Sequence, residues 1–193
     1  MMRILALTFI VAFGFVATQA TPTPAQNRPH KRSKHTKPKP TAQPSDGSAA
    51  AATGCDASLW QHVYKPTRLI NKQDCITVTG TIVDATANQK VHHADGMRHE
   101  GDGDTHGWLK LDPQFTNLLN PGNTSNEGGN LVFEVVCHFS VTQADAVAAC
   151  KGFKSSITIP PVGSHVAITG SYVQDTNHAK WMEIHPVTSI VVQ

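Results

Sequence analysis

The chain has 193 residues, 39% of them hydrophobic and 16% charged, with a formal net charge of +2. Its charge is uneven: residues 28–46 carry six Lys/Arg against one Asp, whereas residues 55–193 carry nine against thirteen Asp/Glu, a net of −4. A mildly acidic folded part argues against a phosphate-rich polymer as ligand, because that class calls for a basic groove.

Residues 1–20 read as an export signal. Arg3 supplies the positive start, Ile4 to Val16 is almost entirely apolar, and Thr18 and Ala20 are the small residues that a cleavage after Ala20 requires. The apolar run is shorter than the roughly 20 residues that span a bilayer. An uncleaved anchor is the alternative, supported by basic residues that follow the run rather than precede it.

Residues 21–54 change character. Pro, Thr, Ala and Lys dominate and large apolar side chains are absent, so this stretch is expected to be a disordered, partly polyproline-like tether. Arg28, Lys31, Arg32, Lys34, Lys37 and Lys39 make it basic. Such a run is either a solvated linker or an electrostatic contact to an anionic surface such as lipid, wall polymer or nucleic acid.

Residues 55–193 form the folded part, enough for one domain with its own core. All four cysteines lie in it: Cys55, Cys75, Cys137 and Cys150. An even count behind an export signal reads as two disulfides, and of three pairings Cys55–Cys75 with Cys137–Cys150 closes the shortest loops. No CxxC spacing points to a redox motif or a zinc ribbon.

Residues 56–74 predict a short helical or irregular lead-in broken by Pro66. The first strand follows over about Ile76–Asp84, where Ile76, Val78 and Ile82 alternate with threonines and Gly80 marks a bend. A long polar stretch from Ala85 to Gly103 contains His92, His93 and His99 and reads as loop. A second strand is predicted at Thr105–Leu111 and a third at Asn130–Phe139, separated by a helical turn near Phe115–Leu119 and a Gly/Asn-rich loop. One helix is expected after Thr142, with Asp145 in its first turn and Gly152 as its stop. The fourth strand is His165–Gln174, with Gly170 inside. The fifth runs from about Lys180 through Pro186 to Val192.

Five strands, a helix between the third and fourth, and glycines inside the first and fourth resemble the OB-fold, a small Greek-key barrel, over about residues 75–192. The resemblance implies a ligand surface on the outer face of strands two and three, beside loops that here fall at about 85–103 and 175–180. The run Asp175-x-x-His178-x-x-Trp181-x-Glu183-Ile184-His185-Pro186 also looks like small exported bacterial domains of unassigned function.

Strand parity puts Leu109 and Leu111 inward, so Asp104, His106, Trp108 and Lys110 face outward. In the last strand Met182 and Ile184 face inward, leaving Trp181, Glu183 and His185 outside, with Asp175 and His178 at the adjoining turn. The two sets are expected to share one solvent-facing surface. Three readings compete for it. One is a structural hydrogen-bond network with nothing bound. The second is recognition of a small molecule, glycan or peptide by Asp104, His106, Trp108, Asp175, His178, Trp181, Glu183 and His185. The third is a divalent metal such as zinc on His106, His178, His185 and Asp104, with Glu183 as a further carboxylate, serving a metal-dependent hydrolase.

Smaller signals point elsewhere. Asp102-Gly103-Asp104 matches only part of a calcium loop, without its closing Glu. Asn123-Thr124-Ser125 is a glycosylation sequon. No glycine-rich phosphate loop or nucleophile elbow occurs, which disfavours kinases, dinucleotide enzymes and serine hydrolases.

Overall fold

The computed structural model describes residues 54–87 and 89–193, so the expected signal (1–20) and nearly all of the expected tether lie outside the described residues. The described part is mainly β. Its strands are β1 (Leu69–Val83), β2 (Arg98–His99), β3 (Thr105–Leu111), β4 (Leu131–Val135), β5 (His165–Asp175) and β6 (Met182–Val192), with one six-residue helix, α1 (Pro121–Asn126).

Five strands close into a barrel in the order β1-β5-β6-β4-β3-β1, with β2 added along β3. The β4–β6 pairing is parallel and the others are antiparallel. With the two-residue β2 set aside, this is the five-stranded Greek-key order of an OB-like barrel. Alternation fills the interior. Ile76, Val78, Ile82, Leu109, Leu131, Phe133, Val135, Val166, Ile168 and Ile184 point inward and are fully buried. Each such side chain contributes roughly 1.5–3 kcal/mol through its removal from water.

Two glycines make the closure feasible. At Gly80, β1 pairs at once with Leu111 of β3 and Val166 of β5, and a Cβ there would collide with the Lys110 carbonyl oxygen. At Gly107 the Phe133 ring fills the space that a side chain would need.

β1 begins seven residues earlier than the alternation predicts. The polar stretch Asn71–Asp74 masks it, because this end pairs with β5 through two register shifts and is exposed along most of one side. The lead-in before it consists of two 3-10 turns, Ala57–His62 and Pro66–Arg68.

The helix expected after Thr142 is reduced to a 3-10 turn at Ala144–Ala146. Its amides bond three residues back, Ala146 to Gln143 and Ala149 to Ala146, while the Thr142 and Gln143 amides donate to the Gly101 carbonyl. The Cys137–Cys150 disulfide pins both ends of this short loop, and its alanines offer little apolar surface to bury. The Cys55–Cys75 bond ties the lead-in to β1. Both disulfides suit an oxidising compartment.

The Gly/Asn-rich stretch read as loop contains α1, held by a reciprocal Asn120–Asn123 cap. Asn123 is fully buried, and its side-chain amide donates to the Asn130 and Met182 carbonyls, 2.9 Å each. The sequon is therefore closed to a glycan in the folded chain.

Candidate functional site

Parity along β3, β4 and β6 decides which groups leave the barrel interior. Leu109, Phe133 and Ile184 point in, so His106, Trp108, Glu134, Glu183 and His185 point out, all on adjacent strands. The expected meeting of the second and last strands on one face is thus present. The expected exposure is not. Asp104, His106, Trp108, Asp175, Trp181, Glu183 and His185 are all buried. The cover comes from outside the barrel: Leu59 and Val63 of the lead-in pack on Val136, and Arg68 enters the polar cluster itself.

Arg68, 7% exposed, is bonded to Asp175 through Nη1. Its guanidinium also lies 3.6 Å from Glu134 and 3.9 Å from Glu183. Asp175 caps its own turn as well, accepting from the Asn177 and His178 amides and from His178 Nδ1 (2.8 Å). Trp181 Nε1 donates to Glu183 Oε2 (2.7 Å), and the other Glu183 oxygen accepts from His185 Nδ1 (3.1 Å).

Asp104 is delivered by its neighbours. Its amide donates to Asp102 Oδ1, Gly103 takes a positive φ of 98°, and Asp104 Oδ1 accepts from the Cys137 amide (2.8 Å). The Asp-Gly-Asp stretch is therefore a turn that sends one carboxylate inward, not a calcium loop. Asp104 Oδ2 has no hydrogen-bond partner and faces His185 Nε2 at 3.8 Å.

Glu134 is the centre that the sequence reading missed. Its Oε2 lies 2.8 Å from His185 Nδ1 and 3.2 Å from His106 Nε2, but neither contact has hydrogen-bond direction, and both of its oxygens are buried without a partner. A signal existed: Glu134 is the single carboxylate in the apolar run Leu131–Val136, at an outward position. Arg68 and Arg98 carried no comparable signal.

These contacts set the protonation of the cluster. Burial pushes the Asp104 carboxyl up to about 7, with the nearby Asp102 and Glu134 charges adding to the rise. Burial works against the charged form of His185, but Glu134 and Glu183 outweigh it and push the imidazole up to about 10. Glu183 is raised by burial and by repulsion from Glu134. Burial opposes ionisation of Glu134 too, yet His106 and His185 hold it well below the usual carboxylate range.

The metal set expected from sequence, His106, His178, His185 and Asp104, is regrouped. Ligating atoms of Asp104, Glu134 and His185 lie within 4.8 Å of one another. His106 touches this group through Glu134. His178 stands apart, its side chain 50% exposed, stacked on Trp181 at 5.2 Å and bound to Asp175. Trp108 lies in a satellite patch with Val132 and Trp181, and its Nε1 donates to Glu127 (2.6 Å).

Above the sealed cluster is an open cleft of about 440 Å³. Its lining includes His106, Arg68 and Arg98, the His178–Trp181 stack, and Tyr64 and Lys65 of the lead-in. Arg98 also sits over the Trp181 ring, 5.8 Å from its centroid, and pairs with Glu127 at 3.6 Å. No protein-family model, curated protein or solved structure matches the chain.

Proposed function

We propose that this chain is an exported binding module that takes a small polar molecule, a glycan fragment or a short peptide, into the cleft beside His178 and Trp181. The observation that carries the reading is the composition of that cleft. A half-exposed imidazole ring is stacked on an indole, in a cleft also lined by Lys65, Arg68 and Arg98 and by Glu100 and Asp102. Ring faces suit sugars and apolar side chains, and mixed charges suit hydroxyls, carboxylates and amines.

Binding is favoured over hydrolysis for a geometric reason. The acids and imidazoles that a metal-dependent hydrolase would use, Asp104, Glu134, Glu183 and His185, are all at or below 1% exposure, beneath Arg68 and His106. A substrate seated in the cleft does not reach them.

The test is a titration followed by tryptophan fluorescence, using peptidoglycan fragments, other oligosaccharides, short peptides and oligonucleotides. Saturable quenching by a sugar or peptide is expected, weakened about tenfold by His178→Ala through loss of one stacking surface, about 1.4 kcal/mol. No response from any class, or a response that His178→Ala leaves unchanged, refutes the cleft as the site.

The reading includes export by a signal cleaved after Ala20 and a basic tether that contacts an anionic surface, in keeping with the resemblance to small exported bacterial domains. N-terminal sequencing of exported protein should begin at Thr21. Retention on anionic vesicles should fall with salt and disappear when residues 21–54 are deleted; retention that survives the deletion removes the tether from the proposal.

A further inference from the structure

Among the described residues, four buried atoms in the barrel's outer face have ion-pair contacts at most and no hydrogen-bond partner: Asp104 Oδ2, both oxygens of Glu134 and Nε2 of His185. They belong to three side chains whose ligating atoms lie within 4.8 Å of one another. Buried polar atoms are ordinarily satisfied, so four in one place call for an explanation.

Two of the three side chains, His185 and Asp104, are pre-set by a second partner. Glu183 accepts from His185 Nδ1, so Nε2 is the ring nitrogen open to an ion, which would take the place of its proton, and Glu183 is itself fixed by Trp181 Nε1. A carboxylate behind a histidine is the usual outer support of a metal-bound imidazole. Asp104 is held through Oδ1 by the Cys137 amide, and Cys137 is locked by its disulfide to Cys150, so Oδ2 is the free oxygen. Glu134 projects from the middle strand of the three, between β3 and β6.

We propose that Asp104 Oδ2, His185 Nε2 and the Glu134 carboxylate hold a divalent transition-metal ion of the zinc type. Two carboxylate oxygens and one imidazole nitrogen are borderline ligands that suit zinc and its neighbours better than calcium or magnesium, which take oxygen. Charge agrees. Asp104, Glu134, Asp175 and Glu183 bring four buried carboxylates together; Arg68 contacts the last three and not Asp104, which is faced only by the His185 ring whose proton an ion would replace. Tetrahedral bonds of about 2.1 Å place ligand atoms about 3.4 Å apart, so the 3.8 Å between Asp104 Oδ2 and His185 Nε2 needs only a small contraction, whereas Glu134 Oε2, which lies 2.8 Å from the other ring nitrogen, Nδ1, must swing toward Nε2. Because the ligands are sealed, the ion enters as the chain folds.

The inference is independent of the cleft reading, since neither His178 nor Trp181 is a ligand. The experiment unfolds the full chain in denaturant and chelator with its disulfides intact, then refolds it with zinc, cobalt(II) or no metal. Refolding with zinc should retain about one equivalent per chain and raise Tm by about 8 °C. Cobalt(II) should give visible ligand-field absorption in the wild type, a readout that needs no variant to fold. Glu134→Gln and His185→Gln should abolish retention, and Glu183→Gln should weaken it about 10–100-fold. Wild type that retains no ion, shows no cobalt absorption and gains no thermal stability overturns the proposal: the cluster then holds protons or water only. An ion that persists in both Glu134→Gln and His185→Gln overturns it as well, by placing the metal elsewhere, such as the His92–His93 loop. If glycan or peptide binding survives in the chelated protein, the cleft stands whatever the metal result.

Discussion

Replacing Arg68 with Met is the sharpest test of the buried network. Methionine keeps the apolar stem and most of the volume, so the change isolates the charge. The guanidinium is 7% exposed and is the cation that reaches Asp175, Glu134 and Glu183 together. Asp175 keeps three donors, two amides and His178, and Glu134 keeps its two imidazole neighbours. Glu183 keeps Trp181 and His185. All three carboxylates nevertheless remain buried with less positive charge, a defect that costs about 3–5 kcal/mol in comparable buried pairs. Guanidinium unfolding of the two proteins at pH 7.5 should show that loss as a shift in midpoint at unchanged slope. The defect should also shrink in acid. Losing the Arg68 charge makes the buried carboxylates easier to protonate than in wild type, so the folded variant takes up more protons than folded wild type as pH falls. Its stability relative to wild type should therefore improve from pH 7.5 to pH 5. A loss under about 1 kcal/mol at pH 7.5, or one that grows at pH 5, would mean that the network does not depend on this charge.

Further outcomes follow from other parts of the structure. Gly107→Ala pushes a methyl into the Phe133 ring and should cost about 1–3 kcal/mol in urea unfolding; a neutral result would show a looser core than the one described. Replacing Cys55 and Cys75 with Ala frees a loop of 20 residues, worth about 3 kcal/mol by chain entropy, measurable as a lower guanidinium midpoint. In chelator, wild-type stability should fall with rising pH. His185, raised from 6.5 to about 10, stabilises fully below pH 6.5 and loses that contribution as pH approaches 10, while Asp104, raised to about 7, adds the same sign between about pH 4 and 7. Thermal melts across this range should slope downward, and His185→Gln should flatten the alkaline part.

Strand positions, both disulfide pairings and the inward–outward parity were legible because period-2 alternation and loop closure are local rules. Parity alone brought His106, Trp108, Glu183 and His185 to one face. Their burial was not legible, since it depends on Leu59, Val63 and Arg68 folding back over the barrel, a contact between segments far apart in the chain. For the same reason His106 and His178 were grouped as ligands. The expected barrel order already sets β4 between β3 and β6, but Glu134 was overlooked because it is one carboxylate inside an apolar run. The helix after Thr142 failed on a local rule overridden by tertiary bonds, as the Gly101 carbonyl takes two of the amides that start it.

The placement of the cluster is itself an argument about function. The barrel interior is already filled by apolar side chains from all five of its strands. Its stability does not call for four carboxylates sealed on the outside around one guanidinium and two imidazoles, an arrangement that well-packed hydrophobic residues commonly match or improve upon. Local rules are broken here and obeyed nearly everywhere else in the sheet, which is the pattern that functional sites leave in a folded chain. The same face carries the cleft, with Arg68 and His106 spanning both levels: each lines the open space above and contacts Glu134 below. With both proposed sites occupied, a ligand that drew Arg68 or His106 toward the cleft would change the charge facing Glu134, and an ion at Glu134 would change the pull on both, which would couple the two sites through these side chains.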